Sequence, residues 1–206
     1  MKVLLVNAGP HPAGCTAAAL DEVAETLRGE GIETETVWAG RVTTGCMACG
    51  GCAAADRCAF DGDPVNEIIE KAKGCDGFIF GTPVHYAGAS GAATALLDRC
   101  FYAGGAAFRH KPGAAVVSAR RSGCTAAFDQ INKYFTINQM PVVSSRYWNN
   151  VHGNTPEEVR QDREGLQTMR FLARNMAWPL RCIEAGKARG IEPPEQEPVV
   201  KTNFIR

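Results

Sequence analysis

Short apolar runs alternate with amphipathic segments along most of the chain. The run 2–8 precedes a loop and then the segment 16–28, where apolar residues recur at helical spacing before Gly29. Further short β-rich runs lie at 33–39, 77–83, 113–120 and 140–146. Helical patterns lie between most of these runs, at 65–74, 89–103 and 123–138. This alternation predicts an α/β fold, a doubly wound five-stranded parallel sheet with helices on both faces.

The pattern after the fifth run predicts one long last helix, capped by Thr155 and with Pro156 at its first position. From Gly186 onward the sequence has three prolines and no helical period. We therefore expect a domain over residues 1–185, with a cysteine-rich loop at 40–64 inserted after strand 2, and an extended C-terminal arm over 186–206.

Composition limits the classes of partner. The chain has 206 residues, and its 22 lysines and arginines balance its 22 aspartates and glutamates. This balance provides no broad basic surface for nucleic acid or an anionic membrane. No apolar run reaches the roughly 18 residues that a membrane helix requires, and no signal-peptide core follows the first residues. Because nine cysteines accompany this pattern, we expect a cytoplasmic protein with reduced thiols and no disulfide framework.

Three loops, at 7–16, 81–99 and 118–125, follow predicted strands and combine glycines with polar side chains. In a doubly wound sheet, ligands bind beyond the carboxyl ends of the strands, so these loops are candidates for a binding site. The first loop, 7–16, reads NAGPHPAGCT and precedes a helix N-terminus, where backbone amides favour a phosphate. It lacks both the G-x-G-x-x-G fingerprint and the P-loop lysine, which favours a ligand smaller than a dinucleotide. The alternative is an ordinary glycine-rich turn.

These loops resemble those of the flavodoxin-like NAD(P)H-dependent FMN reductase family. In that family the first loop reads close to N-G-S-P-R-x-x-G-N-T, beside NAGPHPAGCT here. The family's loop after the third strand reads close to G-S/T-P-V-Y-x-x-x-x-x-G and ends in D-R. The corresponding stretch of this chain, 81–99, reads GTPVHYAGASGAATALLDR. The resemblance covers roughly residues 1–185. It implies a flavodoxin-like fold, an NAD(P)H-dependent FMN oxidoreductase activity, and a homodimer or homotetramer.

The resemblance also implies which residues bind FMN. The FMN phosphate would contact Gly9, His11, Gly14, Cys15 and Thr16. The isoalloxazine would lie along Pro83, Val84, His85 and Tyr86, and would also contact Ala119, Arg120 and Gly123. His85 is the candidate for a catalytic proton donor, with a structural role as the alternative.

The first loop departs from the family pattern at three positions. Gly9, His11 and Cys15 stand where the family usually has serine, arginine and asparagine. Two hydrogen-bonding groups and one fixed positive charge are thereby lost. We therefore expect FMN to bind less tightly than in typical members.

Four cysteines lie within the stretch GCMACGGCAAADRC at 45–58. Their spacing is Cys46-x2-Cys49-x2-Cys52-x5-Cys58. Two-residue gaps let successive thiolates converge on a compact centre, and the neighbouring glycines supply backbone freedom. A structural zinc site usually pairs two C-x2-C units across a longer span, so this spacing favours an iron–sulfur cluster. Zinc, a thiol–disulfide pair and plain loop thiols stay as alternatives.

The cysteine spacing is similar to that of the iron–sulfur flavoproteins, a branch of the same family. The resemblance implies a [4Fe-4S] cluster on Cys46, Cys49, Cys52 and Cys58, near the FMN. It implies electron transfer between NAD(P)H or a ferredoxin-type donor and a small-molecule or protein acceptor. One alternative is a cluster-free NAD(P)H-dependent FMN, quinone or nitro-type reductase that acts on small aromatic acceptors. The other is a zinc-binding module without flavin.

Overall fold

A parallel β-sheet forms the centre of the structure, a computed structural model that describes residues 1–42, 44–202 and 204. The strands are β1 (Lys2–Asn7), β2 (Glu33–Trp38), β3 (Gly77–His85), β4 (Gly88–Ala89), β5 (Gly113–Ala119) and β6 (Asn150–His152). The helices are α1 (Cys15–Gly29), α2 (Val65–Lys73), α3 (Gly91–Phe108), α4 (Cys124–Ile137), α5 (Pro156–Val159) and α6 (Arg163–Lys187).

The parallel strands follow the order β2-β1-β3-β5-β6, and the short β4 pairs antiparallel with the end of β3. Side chains of a strand alternate between the two faces of a sheet. Val3 and Leu5 of β1 accordingly pack with α1 and α6, whereas Leu4 and Val6 pack with α2, α3 and α4. The predicted five-stranded parallel sheet with helices on both faces is confirmed, as is the cysteine-rich segment after β2.

The fifth parallel strand lies later in the sequence than the predicted run at 140–146. In that run Val142 forms an isolated bridge with Gly113. Ser145 Oγ then donates to the carbonyl of Tyr147 (2.8 Å) and accepts its backbone N–H (3.3 Å), which turns the chain away from the sheet. The regular pairing with β5 is made by β6. The prediction of a strand over 140–146 was therefore wrong.

The segment after Thr155 forms two helices where the sequence pattern predicts one. Thr155 Oγ1 caps α5 by accepting the backbone N–H of Glu158 (3.3 Å). Asp162 then starts α6, because its carboxylate accepts the N–H of Gly165 (2.9 Å). The same carboxylate accepts the N–H of His152 in β6 (2.7 Å), which ties the last strand to the last helix.

The chain continues beyond α6 as an irregular segment. Residues 191–202 form neither helix nor strand. Within the described part of the chain, no helix is both long and apolar enough to cross a membrane.

Candidate functional site

The first loop is shaped by a buried side chain at the end of β1. Asn7 has 1 % of its surface exposed, and its Oδ1 accepts the N–H of Gly9 (2.9 Å). Its Nδ2 donates to the carbonyls of His11 and Pro12 (3.4 Å each). From the end of β2, Trp38 Nε1 donates to the carbonyl of Gly9 (2.9 Å). Two side chains that the sequence analysis did not single out therefore fix the loop from two neighbouring strands.

The loop ends at the N-terminus of α1, where Gly14 is the N-cap residue and no side chain caps the helix. Backbone N–H groups at such an end, together with the helix dipole, favour an anion. Thr16 is buried, and its Oγ1 lies 2.8 Å from Ser118 Oγ of β5. Burial raises the pKa of the Cys15 thiol, so this thiol adds no negative charge beside the helix end at neutral pH.

The loop after β3 is a tight hairpin, a feature that the sequence pattern did not predict. Val84 and His85 pair antiparallel with β4, and the two residues between the strands, Tyr86 and Ala87, have φ values of 49° and 59°. Positive φ at both central positions matches a type I′ turn, the geometry that suits a two-residue hairpin. The turn presents the fully exposed side chain of Tyr86 to solvent.

The loop after β5 packs against this hairpin at Gly123. Gly123 has a φ of 94° and is the N-cap residue of α4. A Cβ at this position would lie 2.7 Å from Ala87 Cα and 2.8 Å from Val84 Cγ1. Only glycine combines this backbone conformation with such a close approach. The structure thereby brings together two of the three loops predicted to contact a flavin.

The predicted flavin-binding residues differ in exposure. Those that are buried are Gly9, Thr16 and Ala119, and those that are half-buried are Gly14, Cys15, Pro83, Val84 and Gly123. Those that are exposed are His11, His85, Tyr86 and Arg120. All of these residues follow β1, β3 or β5, or end them, and so lie at the carboxyl edge of the sheet. This edge offers backbone donors from one loop, and an exposed aromatic ring, an imidazole and a guanidinium from the other two.

The four cysteines of the segment after β2 line one cavity of about 460 Å³. Cys46 and Cys49 are exposed, Cys52 is half-buried, and Cys58 has 8 % of its surface exposed. The opposite wall of the cavity comes from α3, with Asp98, Arg99, Tyr102 and Ala103. The predicted cysteine set therefore shares one cavity.

Cys58 is the most firmly held of the four cysteines. Its backbone N–H donates to Asn66 Oδ1 (2.8 Å), and Asn66 Nδ2 donates back to its carbonyl (3.0 Å). Arg99 Nε donates to its sulfur (3.2 Å). By contrast, Cys52 makes a long contact, 3.8 Å from its Sγ to the carbonyl of Tyr102. The site thus has one anchored thiol and three less constrained ones.

The donor set fits a thiolate-ligated metal group, although the ligands have not converged. Among the described residues, no three His, Cys, Asp or Glu side chains lie close enough together to hold a metal ion. The segment that carries Cys46, Cys49 and Cys52 is rich in glycine and alanine and turns through positive φ at Ala48 and Gly50. Cysteine thiolates are the usual protein ligands of iron–sulfur clusters and of structural zinc. The four cysteines that line the cavity are therefore of the residue type that either metal group requires.

The cavity lies alongside α3 and not at the tip of the sheet. The segment leaves β2 at the carboxyl edge and then folds along the helix, where Arg99 is eight positions beyond Gly91. At the rise of an α-helix this separation is about 12 Å. The position of the segment after β2 predicts where it starts but not this course, because the contacts of Arg99 that direct it are distant in sequence.

Comparisons with known proteins identify the family. The family model for NADPH-dependent FMN reductase matches residues 1–155. The chain is 32 % identical over 193 residues to iron-sulfur flavoprotein MJ1083 of Methanocaldococcus jannaschii, covering 89 % of this chain and all of that protein. It is 28 % identical over 192 residues to an iron-sulfur flavoprotein of Methanosarcina thermophila, covering 91 % and 99 % of the two chains.

Solved structures show the same fold. A flavodoxin from the domain Archaea superposes with a TM-score of 0.61 at 15 % identity, covering 88 % of this chain and 99 % of that chain. The flavodoxin-like fold is therefore confirmed. The chain belongs to the NADPH-dependent FMN reductase family, in its iron–sulfur flavoprotein branch.

Proposed function

We propose that the protein transfers electrons between a nicotinamide or ferredoxin-type donor and a small-molecule or protein acceptor, through FMN and a [4Fe-4S] cluster. The observation that most strongly supports the proposed cluster is that all four cysteines of the compact motif line one cavity. Membership of the FMN reductase family supports the FMN-dependent redox chemistry. The names of the two iron-sulfur flavoproteins support the combination of both groups in one chain.

The first loop and the two neighbouring loops would bind FMN. Backbone N–H groups of Cys15 and Thr16 would bind its phosphate, with Gly9, His11 and Gly14 beside them. Residues 83–86 and the loop from Ala119 to Gly123 would contact the ring system. FMN supplies the exchange between hydride and single-electron transfer when bound. The protein residues orient it, and His85, exposed at the end of β3, can donate a proton to flavin or substrate.

Cys46, Cys49, Cys52 and Cys58 would hold the cluster, which supplies one-electron transfer. The anchored Cys58 offers a fixed first ligand. The exposed Cys46 and Cys49 can then close on the metal group without disturbing the core. Metal binding of this kind orders the segment that supplies the ligands.

The experiment that tests this function measures FMN, iron and acid-labile sulfide per chain in protein purified without oxygen. We expect one FMN with about four irons and four sulfides. Cys49→Ala should lose most of the iron, whereas Cys182→Ala, at an exposed cysteine of α6, should keep it. Unchanged iron in Cys49→Ala would count against the cluster. An FMN titration of apoprotein without saturation would reject the flavin site.

The second candidate is a cluster-free NAD(P)H-dependent reductase of quinones, nitro compounds or other small aromatic acceptors. The separation of the cysteine ligands within the described residues favours it. FMN without iron, together with rapid NADPH-driven reduction of such acceptors, would establish this function. A colourless protein with one zinc per chain would instead indicate a zinc-binding module.

We also propose a homodimer or homotetramer built on the domain 1–185. Two large side chains of α6, Phe171 and Trp178, are exposed on the surface of the single chain and offer apolar area for such a contact. Residues 188–202 follow the same helix. Light scattering of the purified holoprotein measures the assembly directly.

A further inference from the structure

Arg99 is among the largest buried side chains of the protein, with 2 % of its surface exposed. A buried guanidinium is costly unless its charge and its donors find partners. The Asp63 carboxylate, also buried, forms an ion pair with Arg99 Nη1. Nη2 donates to the carbonyl of Phe60 (2.8 Å), and Nη1 also contacts the carbonyl of Thr44 (3.4 Å). These contacts hold both ends of the cysteine-rich segment against α3.

The Nε–H group points at sulfur. Nε lies 3.2 Å from the Sγ of Cys58, the anchored cysteine of the cavity. The two Nη atoms make the contacts that fix the segment and pair with the Asp63 carboxylate. Nε is thus the guanidinium nitrogen that contacts the cysteine sulfur.

A hydrogen bond to a ligand sulfur has a defined effect on a metal cluster. It stabilises negative charge on the thiolate, and the reduced cluster carries one more electron than the oxidised cluster. The donor therefore favours the reduced form and raises the reduction potential. Hydrogen bonds around metal ligands also fix the ligand geometry.

We propose that Arg99 is a positioning residue of the cluster site, and that its Nε–H bond to Cys58 holds this ligand and raises the reduction potential of the cluster. This inference rests on the proposed function. It assigns a role to the arginine of the D-R pair that closes the third sequence motif.

The experiment compares the cluster midpoint potential in anaerobically purified wild type, Arg99→Lys and Arg57→Lys, by redox titration monitored with EPR. Lysine keeps the positive charge beside Asp63 but lacks the planar fork that reaches several partners at once. Arg57→Lys is the matched control, since Arg57 lies on the same segment but is exposed and pairs with Asp61 (2.7 Å). Circular dichroism and FMN content report folding.

We expect a more negative midpoint potential, or fewer irons per chain, in folded Arg99→Lys, and wild-type values in Arg57→Lys. Folded Arg99→Lys with full iron and the wild-type potential would overturn the inference and leave the proposed function intact. Wild type without iron and sulfide would reject the proposed cluster itself, and with it this inference.

A second measurement needs no variant and decides the matter if Arg99→Lys does not fold. Wild type is grown with arginine labelled with 15N in the guanidinium group, and electron–nuclear double resonance is recorded on the reduced cluster. Arg99 is the one arginine among the described residues that line the cavity. A 15N coupling supports the inference, and its absence overturns it.

Discussion

The carboxyl edge of the sheet and the cysteine cavity are organised in opposite ways. At the edge, Asn7, Trp38 and Gly123 fix three loops through short hydrogen bonds and close backbone packing. In the cavity, Cys58 is anchored while Cys46 and Cys49 stand exposed. A flat organic cofactor needs a shaped surface before it binds, whereas a metal group can gather its ligands as it binds. The difference predicts that the first site tolerates few changes and that the order of the second would depend on the proposed metal group.

The largest expected effect comes from Gly123→Ala. The new Cβ would lie under 3 Å from the β3–β4 hairpin in a left-handed backbone conformation. We expect a loss of about 2–3 kcal/mol in the free energy of unfolding, together with weaker FMN binding. Urea denaturation and FMN titration measure both. Gly91→Ala is the control, because a Cβ there meets no atom within 4 Å, and it should change stability by less than about 0.5 kcal/mol.

Asn7→Ala should have the next largest effect. It removes the side chain that bonds Gly9, His11 and Pro12, and leaves the backbone N–H of Gly9 without its partner. We expect a loss of about 2 kcal/mol, measured by urea denaturation. Asn175→Ala, at an exposed asparagine with one backbone contact, is the control. Equal losses in the two variants would show that the first loop is not fixed in the way described.

A smaller effect is expected for Trp38→Phe. The change keeps most of the aromatic ring and removes the N–H that donates to the carbonyl of Gly9. Because one hydrogen bond contributes about 1 kcal/mol, FMN affinity should fall about fivefold. Isothermal titration with FMN measures the change. Iron content should stay at the wild-type value, since Trp38 does not line the cysteine cavity; loss of iron would mean that the two sites are coupled.

The smallest expected effect comes from chemical modification of the protein with its sequence unchanged. Alkylation of the metal-free protein by iodoacetamide should modify Cys46 and Cys49 quickly and Cys15 slowly at pH 7.5. Cys46 and Cys49 are exposed, whereas burial raises the pKa of Cys15 and so lowers its thiolate fraction. Raising the pH should speed modification of Cys15. Mass spectrometry of digests gives each rate, and equal rates for all three cysteines would contradict the contrast between the regions.

Local patterns of apolar residues predicted much of the architecture. The apolar runs predicted β1, β3 and β5 because these strands are buried on both faces, and the helical periods predicted α1 to α4 to within a few residues. The fifth strand and the last helix were misplaced because Ser145 and Asp162 act through side-chain bonds to backbone, which hydrophobic spacing does not register.

The candidate site could be predicted by residue type but not by arrangement. The cysteine spacing singled out the four cysteines that line one cavity, and Gly123 was included through its loop. Asn7, Trp38 and Arg99 were missed because their roles depend on partners that only the folded chain brings near. In particular, the separation of 41 positions between Arg99 and Cys58 hides their contact from any local pattern.

The carboxylate of Asp162 also covers part of the exposed backbone of the edge strand β6. The unpaired side of an edge strand can template further strands from other chains. At one edge, β6 is only three residues long, and Asp162 of α6 holds the backbone N–H of His152. Loss of the Asp162 carboxylate would therefore free the backbone of β6 and favour aggregation through that edge.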